Sequence, residues 1–92
     1  MRSVDQNGNA REPEIMGLQA LGWVLSDDSR AHRLLALTGL DADQLRARAD
    51  DRAVLGSVLD FLLGHEPDLV ACAEALGVAP ETLASAAREL TR

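Results

Sequence analysis

Between Glu12 and Leu90 the apolar residues recur every three or four positions, and Gly, Pro, Asp and Ser interrupt that rhythm into about six segments. Such spacing places apolar side chains on one face of an α-helix, so the pattern predicts six short helices joined by connections of a few residues. Pro13 suits a first helical turn, with Glu12 and Glu14 at the positive end of the helix dipole, and this helix runs to about Leu25. Asp27, Asp28 and Ser29 offer a cap for a second helix faced by Ala31, Leu34, Leu35 and Leu37, which Gly39 stops. Asp41 and Gln44 have capping-box spacing, and Leu40 and Leu45 stand at the two positions of a hydrophobic staple, so a third helix starts after Asp41.

Asp50 and Asp51 open a fourth helix, where Val54, Leu55, Val58, Leu59, Phe61, Leu62 and Leu63 cover more than half the circumference before Gly64. A stripe that wide belongs to a centrally packed helix. Pro67 starts the fifth, Gly77 stops it, and Pro80 starts the sixth, with Leu83, Ala84, Ala87 and Leu90 on one face. The expected organisation is a disordered polar tail over 1–11 and a single helical domain over 12–92.

Composition agrees with helices rather than strands. The 92 residues include 16 Leu and 15 Ala but only seven Val and Ile together, one Phe, one Trp and no Tyr. The expected class is all-α: a compact orthogonal bundle, its last two helices arranged like a helix-turn-helix. Nine basic residues, all Arg, face fifteen acidic ones for a net charge of −6, a field that repels phosphate backbones and anionic lipid. One cysteine, Cys72, excludes an intrachain disulfide, and no secretory leader or membrane-length apolar run is evident, so a cytoplasmic protein is expected.

The first helix is unusual in that polar side chains are nearly absent from its middle. Gly17, Leu18, Leu21 and Leu25 form one stripe, and Met16, Ala20 and Trp23, interrupted by Gln19, lie toward the other side. Since the fourth helix already claims the centre, Met16, Gln19 and Trp23 are the expected partner surface, for a foreign protein or a second copy. Arg30, Arg33, Arg46, Arg48 and Arg52 are the only basic concentration and form a secondary surface. They alternate with Asp41, Asp43, Asp50 and Asp51, as on an ion-paired, solvated face.

Reactive constellations are not evident. The acid pairs Asp27–Asp28 and Asp50–Asp51 fall at helix starts, where carboxylates accept orphaned backbone N–H groups. Cys72 sits among Leu69, Val70, Ala71 and Ala73, the surroundings of a small buried hydrophobe rather than a thiolate. His32, His65 and Cys72 lack zinc-site spacing, and the glycines form no phosphate loop, so no catalytic residue, cofactor, metal or small-molecule ligand is expected.

The sharpest alternative is DNA binding. Ala73-Glu74-Ala75-Leu76-Gly77-Val78-Ala79-Pro80-Glu81-Thr82-Leu83 has the packing pattern of a helix-turn-helix. Asp68 to Leu90, however, carries only Arg88 against Asp68, Glu74, Glu81 and Glu89, the wrong balance for phosphate contacts.

Three strings carry a family resemblance: Leu18-Gln19-Ala20-Leu21-Gly22; Leu35-Ala36-Leu37-Thr38-Gly39-Leu40 followed by Leu45-Arg46; and Val58-Leu59-Asp60-Phe61-Leu62-Leu63. In order over about Glu14 to Leu90, they resemble a small bacterial family known as domain of unknown function 3572. The resemblance implies an all-α bacterial cytosolic protein and brings no activity, cofactor or site residue with it. The leading expectation is thus a non-enzymatic domain for protein–protein interaction or self-association.

Overall fold

The computed structural model describes residues 12–91, so the expected tail over 1–11 lies outside the described residues. Six α-helices follow one another: α1 (Pro13–Leu25), α2 (Asp28–Thr38), α3 (Ala42–Ala47), α4 (Arg52–Leu63), α5 (Glu66–Leu76) and α6 (Pro80–Leu90). There is no strand among the described residues, and the all-α class holds.

The helix ends sit where local chemistry sets them. Asp27 Oδ2 accepts the Arg30 N–H at 2.9 Å, and Asp51 Oδ1 accepts the Ala53 N–H at 2.9 Å. Each carboxylate satisfies a donor left over by the first helical turn. The capping box of α3 is complete: Asp41 Oδ1 accepts the Gln44 N–H at 2.8 Å, and Gln44 Oε1 accepts the Asp41 N–H at 2.9 Å. Leu45 is buried and Leu40 packs partly buried against the core, which anchors this one-and-a-half-turn helix. At the other ends Gly39 and Gly77 adopt φ of 74° and 73°, the left-handed region open to glycine. After Gly77 the Val78 N–H reaches the Ala73 carbonyl at 2.9 Å, closing α5 in a Schellman turn. Across this break α5 and α6 are bent by 102°.

The core is formed by Met16, Ala20, Leu21, Val24, Leu34, Leu45, Leu55, Val58, Leu59, Leu62, Cys72, Ala73, Leu83, Ala86, Ala87 and Leu90, with no buried polar or charged side chain among them. At roughly 1.5–3 kcal/mol for each fully buried large aliphatic side chain, these contacts dominate folding. The centre is shared rather than owned by α4: α1, α4 and α6 all pack against one another. Two glycines permit it. A Cβ on Gly17 would stand 2.8 Å from Leu55 Cβ, and one on Gly56 would stand 2.9 Å from Thr91 Cγ2, so α1 meets α4 and α4 meets α6 at close range. One side chain fastens the same three helices from outside. Arg52, at the start of α4, pairs with the Glu14 carboxylate on α1 and donates to the Glu89 carbonyl on α6 at 2.9 Å.

Candidate functional site

The central position of α1 corrects part of the expected surface. Met16 is completely buried, as are Ala20 and Val24, because Gly17 draws this side of the helix onto α4 and α6. Met16 is therefore a core residue. Trp23 is half-buried, and its ring lies beneath the Arg30 guanidinium, whose carbon is 3.6 Å from the ring centre. Arg30 Nη2 also donates to the Trp23 carbonyl at 2.9 Å and to Ser26 Oγ at 3.2 Å, tying α2 across the end of α1. Stacking of this kind, between two half-buried groups, favours holding the guanidinium over the ring. Of the three expected residues, only Gln19 is exposed.

The solvent side of α1 carries different apolar residues. Ile15 is 45 % exposed and Leu18 49 % exposed, Gly22 is open, and Leu25 is half-buried. Their spacings of three, four and three residues form one seam along the helix. A Cβ on Gly22 would meet nothing within 4 Å, so the seam has a notch between Leu18 and Leu25. Beside it runs a shallow groove of about 370 Å³, lined by Leu18, Leu21, Gly22, Leu25, Ser26, Arg46 and Ala49. Thus α1 is apolar on two faces, one inside the protein and one outside it. The 3–4–3 spacing was legible in the sequence, but the inner face competes with it on a helical projection.

The arginines do not converge. Arg30 caps Trp23, and Arg33 pairs with Asp68 at 2.9 Å while its guanidinium lies 5.8 Å from the Phe61 ring centre. Arg46 faces Asp43 at 3.6 Å, Arg48 is exposed, and Arg52 joins Glu14 and Glu89. The Glu14 carboxyl titrates below its ordinary range, held there first by a hydrogen bond to its own backbone and then by Arg52, against the opposing effect of burial. These are structural ties on separate parts of the surface rather than one basic patch.

The reactive residue types likewise find structural roles. Burial pushes the Cys72 thiol up to about 11, partly offset by Arg30 and reinforced by Asp68, so it remains a protonated core group. His65 Nδ1 lies 3.0 Å from Asp68 Oδ2, the same oxygen that binds Arg33, and His32 is exposed on α2. No group of three or more His, Cys, Asp or Glu residues among those described is arranged to hold a metal ion. A second groove of about 380 Å³ is lined by Leu37, Thr38, Leu40, Val54, Ser57 and Asp60, and the Ser57 hydroxyl donates to the Ala53 carbonyl at 3.0 Å. Asp60 is the one carboxylate among these lining residues, and the Ser57 hydroxyl is committed to the backbone of its own helix.

Fold and surface together define a small all-α domain with an apolar seam on its first helix, and no single described helix is long and apolar enough to cross a membrane. A family model described as Protein of unknown function (DUF3572) matches residues 10–92, and the chain belongs to that family. Neither the curated proteins nor the solved structures compared with the chain gave a match.

Proposed function

We propose that this is a non-enzymatic protein-binding domain of the bacterial cytoplasm, and that the binding face is the outer seam of α1: Ile15, Leu18, Gly22 and Leu25. The carrying observation is that Ile15 and Leu18 are about half exposed on a centrally packed helix whose opposite side, at Met16, Ala20 and Val24, is fully buried. Holding contiguous apolar surface in water is unfavourable, and a helix anchored by its other face presents that surface at little ordering cost. A photoreactive residue at Leu18 should form an adduct of discrete mass in the cells that make the protein. The adduct should vanish in an Ile15→Glu background, and the same residue at exposed Ser85 should give none. Equal labelling from both positions, or none from Leu18, would refute the assignment.

DNA binding through α5 and α6 is the second reading, favoured by the 102° bend across the Gly77 turn. Its weakness is charge, because Arg88 is the one cation between Asp68 and Leu90, where four acids stand. Retardation of DNA at low salt that is lost in Arg88→Ala would establish it in place of the first.

A further inference from the structure

The seam is self-complementary, in shape and in charge. Ile15 projects at one end and the Gly22 notch lies seven residues further on, about 10 Å along the axis. On a helical projection Glu12, Trp23 and Ser26 lie along the same flank of the seam, Glu12 at the N-terminal end and the other two at the C-terminal end. Arg30 sits on Trp23 and Ser26, and neither it nor exposed Glu12 has an ion-pair partner among the described residues. Opposite charges thus mark the two ends of one flank.

We propose that a second copy of this chain covers the seam, its α1 running antiparallel, so that Ile15 of each copy seats at Gly22 of the other. This rests on reading the outer face of α1 as a binding face. A two-fold axis perpendicular to both helices keeps corresponding flanks together and brings Glu12 of each copy to Arg30 of the other. A parallel pairing would send the two marked flanks to opposite sides of the interface and leave Glu12 and Arg30 of both copies without that contact. The residues 18 and 19 lie at the crossing point. One helix pair with four seam residues a side buries less than the roughly 1,200 Å² of a standard interface, so association is expected at about micromolar concentration or above.

Sedimentation of the full chain should show a monomer–dimer equilibrium. Leu18→Glu, which places two charges at the crossing, should weaken it at least about tenfold, and Glu12→Arg should weaken it by a smaller factor. Leu18 is half exposed and Glu12 makes no side-chain cap, so both variants should keep wild-type helicity. Orientation is read by disulfide trapping: Leu18→Cys cross-links to itself, and Ile15→Cys cross-links to Gly22→Cys but not to itself, because native Cys72 is buried and disulfides need Cα atoms within about 5–7 Å. A chain that stays monomeric at millimolar concentration overturns the proposal, as does self-linking of Ile15→Cys in preference to the mixed pair. The photoadduct at Leu18 separates the failures. A mass of twice the chain supports self-pairing; another mass overturns it while leaving the binding face standing; no adduct removes both.

Discussion

Replacing each helix-interior glycine of α1 and α4 by alanine separates close helix packing from intrinsic helix preference. The three backbones are alike and their surroundings are not. Alanine gains up to about 1 kcal/mol over glycine inside a helix, and that gain is common to all three sites. At Gly22 nothing opposes it, so Gly22→Ala should stabilise the fold by ~0.5–1 kcal/mol. At Gly17 the new methyl would stand 2.8 Å from Leu55 Cβ and 3.3 Å from Leu90 Cδ1. Leu55 Cβ is fixed to the α4 backbone, so relief requires moving a helix, and overpacking of this kind costs ~1–3 kcal/mol. Gly17→Ala should therefore be ~1–3 kcal/mol less stable than Gly22→Ala. Gly56→Ala should fall between them, since its closest contact, at 2.9 Å, is the terminal methyl of Thr91 just beyond α6. Urea unfolding followed by the fluorescence of Trp23, the single tryptophan, and by far-ultraviolet circular dichroism measures the series. Thermal midpoints should follow at roughly 4–8 °C per kcal/mol for a domain of this size. Low protein concentration keeps association out of the result. If Gly17→Ala matches or exceeds Gly22→Ala, α1 and α4 are not in the close register described and the account of the core fails.

Asp41→Ala removes one arm of the α3 capping box and should cost ~0.5–2 kcal/mol in the same assay, with Asp43→Ala as a near-neutral comparison. Met16→Ala should cost ~2–5 kcal/mol, whereas Ile15→Ala on the outer face should cost under half as much; equal losses would return Met16 to the surface. Cys72 should resist iodoacetamide in the native protein at pH 8 and react on addition of urea. Because its folded value is raised from an ordinary 9.0 to about 11, the unfolded chain releases the proton first, and stability should decline as pH rises from about 9 toward 11, a slope absent in Cys72→Ala.

The helix ends were legible because their causes are local. Asp27, Asp41 and Asp51 each bond within three residues of themselves, and Gly39 and Gly77 need only their own backbone geometry. The partner surface was harder to read because α1 offers two apolar arcs, and periodicity does not tell which of them turns inward. What decides it is distant in sequence: Gly17 meets Leu55 and Leu90, so the arc containing Met16, Ala20 and Val24 is drawn inside. Small residues at Gly17 and Ala20 were the available signal, since a helix approaches its neighbours on the side where its side chains are short. In sequence Trp23 has the character of an exposed anchor, but Arg30, seven residues on in α2, lies over its ring. The acidic–basic alternation from Arg30 to Arg52 accounts for one ion pair, Arg46 with Asp43, whereas Asp68 and Glu14, the partners of Arg33 and Arg52, lie outside that stretch.

The guanidinium of Arg52 touches both Glu14 and Glu89, so the described chain finishes where it started and its path is nearly a ring. A ring can be opened elsewhere. A short flexible bridge joining the two ends, with fresh termini cut at the exposed Gly39 turn, would preserve every core contact while reversing the order in which the halves leave the ribosome. The same closure lets the domain be inserted into the loop of another protein without prying that host apart.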